Sequence, residues 1–163
     1  MNTQTLLSIV ADQREELLAN DYSELCPRPE ESQLDLKSNR AQVVIGVRRC
    51  GKSTLCEMFL KQKGIDFAYV NFDDDRMEDM KASDLDHLLE ALYMTYGEFK
   101  YLFLDEIQNI EGWPLFVNRL LRQKMHLFIT GSNSKLLSKE LSTHLTGRNN
   151  KVELYPFSYS EYC

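Results

Sequence analysis

The run Gly46-Val47-Arg48-Arg49-Cys50-Gly51-Lys52-Ser53 constrains this chain more than any other feature. Gln42-Val43-Val44-Ile45 before it is short and β-branched, and Ser53 to about Lys63 after it has helical spacing. The whole reads as strand, glycine-bearing loop and helix. Gly46 and Gly51 permit backbone conformations that other residues resist, so successive N–H groups turn inward and form an anion nest. The helix beginning near Lys52 adds its positive end. Lys52 is expected at the β- and γ-phosphate oxygens of a nucleotide, and the Ser53 hydroxyl on Mg²⁺. A match to Gly-x4-Gly-Lys-Ser/Thr arises by accident in roughly one chain in a hundred or fewer at this length, and the flanking strand and helix make accident rarer.

The surrounding sequence repeats the same alternation. Phe67 to Phe72 predicts a strand, followed by the acidic turn Asp73-Asp74-Asp75. Ser83, with Asp86 three residues on, predicts a capping-box start for a helix running to Gly97. Tyr101-Leu102-Phe103-Leu104 predicts a buried strand, Pro114 the first turn of a helix through about Gln123, and His126 to Ile129 a fourth strand. A helix around Ser134 to Leu141 and a strand around Val152 to Tyr155 complete the order. Short apolar strands alternating with helices imply an α/β fold, a parallel sheet covered on both faces. Upstream, Leu6, Ile9, Val10, Leu17 and Leu18 predict a helix from Thr5 to roughly Asn20, and Cys26-Pro27-Arg28-Pro29 opens a polar arm reaching Asn39. The division expected is 1–39 for helix and arm, 40–157 for the core, and 158–163 for the start of a further region.

Leu102-Phe103-Leu104-Asp105-Glu106 supplies the second candidate group. An aspartate at the carboxyl end of a strand lies in the crevice where open α/β sheets bind ligands. Asp105 is expected to hold the Mg²⁺ hydration shell, and Glu106 to act as general base toward water; an acidic helix cap is the plainer alternative. The acidic pair, together with the lack of an Asn-Lys-x-Asp run, favours ATP over GTP. Thr130-Gly131-Ser132-Asn133 closes another strand. Ser132 or Asn133, with Thr130 as a third option, is placed to meet the γ-phosphate or the attacking water, although Ser132 and Ser134 also suit a helix cap. Arg148 is either a surface ion-pair partner or a cation for the transferring phosphoryl group. Arg48 and Arg49 are expected to point away from the phosphates, one of them pairing with the turn at Asp73 to Asp75.

Composition sets limits. The chain has 163 residues, 43% hydrophobic and 27% charged, enough for one domain with its own core. No stretch has the apolar length to span a bilayer, and Met1 to Thr5 lacks a signal-peptide start; a cytoplasmic protein is the expectation. The net charge of −6 argues against a surface given over to nucleic acid. Arg119, Arg122 and Lys124 on one predicted helix read as a solvated face, with a local basic patch as the alternative. Cys26, Cys50, Cys56 and Cys163 match no zinc spacing, nor do His87, His126 and His144. Cys56 is expected in the core.

Taken together, these runs resemble bacterial and archaeal AAA-like ATPases, within the AAA+ superfamily of P-loop proteins. The likeness is carried by Gly46 to Leu55 (Walker A), Leu104-Asp105-Glu106-Ile107-Gln108 (Walker B), Ile129 to Asn133, Leu145-Thr146-Gly147-Arg148 and Tyr155-Pro156-Phe157-Ser158, and it extends from about Gln42 to Tyr162. It implies a three-layer P-loop core with sheet order 5-1-4-3-2, preceded by the N-terminal helix. It also implies that Thr54 touches the α-phosphate and that Arg148 acts across the interface of a homo-oligomer. Family members continue into a helical lid and a C-terminal domain, so this chain resembles the N-terminal ATPase core of a longer protein. The expected activity is hydrolysis of ATP with Mg²⁺. The alternative is a nucleotide-dependent switch or assembly module with little turnover, DNA-associated in its weakest form.

Overall fold

The computed structural model describes residues 2–19, 40–46, 52–132, 139, 147 and 149–153. Helix α1 (Thr3–Ala19) leads into strand β1 (Ala41–Ile45), helix α2 (Lys52–Gln62) and strand β2 (Ala68–Asn71). Helix α3 (Leu85–Tyr96), strand β3 (Tyr101–Asp105), helix α4 (Trp113–Arg122), strand β4 (His126–Gly131) and strand β5 (Asn149–Glu153) follow. The five strands form one sheet in the order β2-β3-β4-β1-β5, every neighbouring pair parallel. Read from the other edge, this is the order 5-1-4-3-2 that the family likeness implies.

Alternation along the strands assigns the two faces. In β3, Leu102 and Leu104 join Val43, Ile45, Val70, Leu127 and Ile129 under α1, α3 and α4. Phe103 points the other way, joining Val44, Phe128 and Val152 beneath Leu55, Cys56, Phe59 and Leu60 of α2. A side chain as fully buried as Phe103 stabilises the fold by about 1.5–3 kcal/mol. Because both faces are covered, the strands read as continuous apolar runs rather than as an alternation with polar residues.

Element ends follow local chemistry. The Asn2 side chain accepts the Thr5 N–H at 2.8 Å, so α1 begins two residues before Thr5. Gly64 and Gly97 terminate α2 and α3 with φ of +68° and +73°, where a side chain is strained. The start of α3 corrects the expected cap at Ser83. A 3-10 turn spans Ala82–Asp84, and the Asp84 carboxylate accepts the Lys81 N–H at 3.0 Å, because Asp84 rather than Ser83 faces back along the chain. Strand β5 begins earlier than its apolar residues indicate, since its ladder with β1 starts at Ala41 and Asn149. Of the predicted helix near Ser134 to Leu141 only Lys139 is described, and it is helical; the rest of that helix, and Leu154 and Tyr155 of the last predicted strand, lie outside the described residues. Among the described residues no helix is long and apolar enough to cross a membrane.

Candidate functional site

The carboxyl ends of β1, β3 and β4 converge on the start of α2. Strand β1 ends at Ile45, and the Gly46 N–H then bonds to the carbonyl of Gly131 at the end of β4, at 3.2 Å. Val47, Arg48, Arg49, Cys50 and Gly51 lie outside the described residues, so the anion nest expected of them stays an expectation. Lys52 is the first residue of α2 and is buried. Its Nζ donates to Ser132 Oγ at 3.1 Å and lies 3.4 Å from Glu106 Oε1. Ser53, one residue on, donates its hydroxyl between the two oxygens of Asp105, at 2.8 and 2.7 Å. Thr54 is half-buried on the same turn.

Asp105 closes β3 and is only 4% exposed. Besides Ser53, its carboxylate accepts from the Thr130 hydroxyl and, at 3.0 Å, from the Tyr69 hydroxyl. Burial pushes its pKa above the usual carboxylate range, and the bonds from Thr130, Ser53 and Tyr69 oppose that push. Thr130 serves both acids, because its oxygen also accepts the Glu106 N–H at 2.9 Å.

Glu106 follows in a left-handed backbone conformation, φ 58° and ψ 47°, uncommon outside glycine. Its carboxylate accepts from Ser132 Oγ at 2.7 Å to either oxygen and from Gln108 Nε2 at 2.7 Å. Burial alone would raise its pKa. The bonds from Ser132 and Gln108, with the charge of Lys52, outweigh burial and leave it below the ordinary glutamate range. A relay therefore runs from the Lys52 ammonium through Ser132 to Glu106, beside a hydroxyl–carboxylate pair at Ser53 and Asp105.

The structure thus gathers Lys52, Ser53, Asp105, Glu106 and Ser132, all expected from sequence, into one cluster. Asn133 and Arg148 lie outside the described residues. So do Arg48 and Arg49, while the acidic turn offered to them meets Arg76 and Gln13 through Asp74. Arg119 pairs with Asp86 and lies over Phe116, as a solvated helix face requires. Cys56 is fully buried and burial pushes its thiol up, the state of an inert core cysteine. His87 bonds Thr3 and His126 stacks on Tyr101; among the described residues no group of three His, Cys, Asp or Glu side chains is placed to hold a metal. Sequence reasoning gave Tyr69 no role, named Gln108 only as part of the family likeness, and ranked Thr130 below its neighbours. The one available signal for Tyr69 is register: it pairs with Phe103, so its hydroxyl reaches diagonally to Asp105.

A parallel sheet of this order, with a lysine- and serine-led helix facing an acidic strand end, defines a P-loop nucleotide-binding fold. The family model described as an AAA domain matches residues 38–163, and the chain belongs to that family. Membership carries a nucleotide-binding, ATPase-like function at the level of the family. An uncharacterized protein of Methanocaldococcus jannaschii is 41% identical over 131 residues, 80% of this chain and 30% of that protein. Another from Haemophilus influenzae is 39% identical over 129 residues, 74% of this chain and 32% of that protein. The chain thus spans about a third of the length of these relatives. A solved structure concerned with katanin self-assembly is similar at a TM-score of 0.44 and 15% identity, over 88% of this chain and 50% of that one, a likeness too distant to bear on function.

Proposed function

We propose that the chain binds ATP with Mg²⁺ and hydrolyses it to ADP and phosphate. The observation that carries the reading is the convergence of Lys52, Ser53, Asp105, Glu106 and Ser132 at one end of the sheet. Ser53 and Asp105 offer hydroxyl and carboxylate oxygens side by side, the hard donor set that suits Mg²⁺. When bound there, the ion supplies positive charge to the β- and γ-phosphate oxygens. Gly46, the loop Val47 to Gly51, and Thr54 hold the remaining phosphate oxygens.

The chemistry assigned to the chain's own groups is simple. Lys52 turns its ammonium from the Ser132–Glu106 relay to the γ-phosphate. A water attacks the γ-phosphorus, the bond from that phosphorus to the bridging oxygen breaks, and ADP leaves with the electron pair. Glu106, ionised at neutral pH, takes the water's proton. Ser132, with Asn133, meets the γ-phosphate or the water, and Arg148 serves a neighbouring copy. The test is a pair of variants: Lys52→Ala loses ATP binding, while Glu106→Gln keeps it and loses about 10²–10⁴ in turnover. Unimpaired hydrolysis by Glu106→Gln sinks the assigned base.

One observation favours a second reading, a nucleotide-dependent switch with little turnover: both Glu106 oxygens are already engaged by Ser132, one of them also by Gln108. ATP-dependent change of mass in solution without phosphate release selects that reading.

A further inference from the structure

Gln108 lies in the 3-10 turn Ile107–Asn109 that follows Glu106, and its amide is used at one end only. Nε2 donates to Glu106 Oε2 at 2.7 Å, whereas Oε1 is buried without a hydrogen-bond partner. A buried acceptor left unmet costs stability. Native structures keep few such groups, and those kept call for a reason. Two residues earlier, the left-handed Glu106 backbone carries a further cost for a non-glycine residue. Both costs are spent on the same result, a carboxylate fixed in place.

The turn that carries Gln108 is itself anchored on both sides. Ile107 is fully buried in the core. Asn109 donates its side-chain amide to the Phe72 carbonyl at 3.1 Å, and Phe72 in turn donates its N–H to the Asp105 carbonyl at 2.9 Å. Gln108 therefore acts from a rigid base, the condition for holding a reacting group to within fractions of an ångström. Ser132 can turn its single proton between the two Glu106 oxygens, whereas the Gln108 amide bonds one of them, Oε2.

We propose that Gln108 is a positioning residue that holds the Glu106 carboxylate in its working orientation, a second anchor beside Ser132. The role rests on the hydrolase reading for its catalytic consequence, and on geometry alone for the contact. Gln108→Met keeps the side chain's length and removes its donor, so a packing role survives the change and a positioning role does not.

Two measurements test it. In steady-state hydrolysis, Gln108→Met is expected to lower kcat about ten- to a hundredfold with KM, ATP affinity and melting temperature kept. In the nucleotide-free protein, the Gln108 side-chain amide protons are expected to be protected from exchange, and Glu106→Gln to displace their resonances. A kcat for Gln108→Met equal to or above that of an active wild type overturns the role, and so does an amide resonance indifferent to Glu106→Gln. A wild-type rate no higher than that of Glu106→Gln overturns the hydrolase reading instead, and the amide resonance then decides the contact by itself.

Discussion

Thr130 shows how one side chain can set two others. Its hydroxyl proton goes to Asp105 and its oxygen takes the Glu106 N–H, so a single fully buried oxygen fixes both acids of the candidate site. Valine has nearly the same shape and neither function. Thr130→Val is therefore expected to cost about 1–3 kcal/mol for the buried N–H and carboxylate it leaves short of partners, measured by urea unfolding without nucleotide. A change of only a few tenths of a kcal/mol would show that the hydroxyl does not bear on either acid. At this scale the sequence displayed the residues but not their partners. Asp105-Glu106 and Lys52-Ser53 stand next to each other in the chain and declare their chemistry by type and spacing. Tyr69 and Thr130 reach Asp105 from positions 36 and 25 residues away, and no local pattern marks a hydroxyl that will face a carboxylate.

At the scale of elements, α1 closes the sheet's β2 edge. An edge strand presents backbone groups with no neighbouring strand to pair them. The Gln13 amide supplies the missing neighbour at one residue, donating to the Asn71 carbonyl and accepting the Asn71 N–H, both at 3.0 Å. The same Nε2 also reaches Asp74 at 3.1 Å. Arg14 bonds the Thr95 carbonyl and lies over Tyr96, which ties α1 to α3 as well. Arg76 then spans the junction, bonding Asp74 on the acidic turn and Asp12 on α1, each at 2.7 Å.

The Arg76 guanidinium, with the Gln13 amide, holds the Asp74 carboxyl well below the usual carboxylate range. A depressed carboxylate adds stability that is present above its unfolded-state value, about 4, and lost as pH falls below it. Asp74→Asn is accordingly expected to lower the melting temperature at pH 7, with the gap from wild type starting to narrow below pH 4 and only in part narrowed at pH 3, because the folded carboxyl stays ionised there. A gap that stays constant over that interval would assign the loss to packing instead of charge. Periodicity predicted α1 as a helix but not its seat, because a polar glutamine inside an amphipathic pattern reads as solvent-facing until the strand it meets is known.

At the scale of the whole molecule, the candidate site's side chains meet only because the sheet order places β1 and β3 on either side of β4. Lys52 and Ser53 follow β1, Asp105 and Glu106 end β3, and Thr130 and Ser132 end β4 and link them. A ligand that binds this assembled end and not the unfolded chain stabilises the fold by mass action, about 2.7 kcal/mol at a hundredfold excess over Kd. ATP with Mg²⁺ is expected to raise the melting temperature of the wild type and to leave Lys52→Ala unmoved. Equal shifts in the two proteins would remove Lys52 from the binding site.

The sequence by itself determined the class of fold and the family, and it named the five candidate side chains that the structure brings together. It could do so because strand and helix periods are local, and because a phosphate loop concentrates its chemistry in eight consecutive positions. Tertiary structure alone decided which hydroxyls serve Asp105, that Gln108 turns back onto Glu106, and that Gln13 pairs the sheet edge at Asn71. Those are hydrogen bonds whose geometry is set by strand register and helix docking, and neither leaves a periodic trace in the chain.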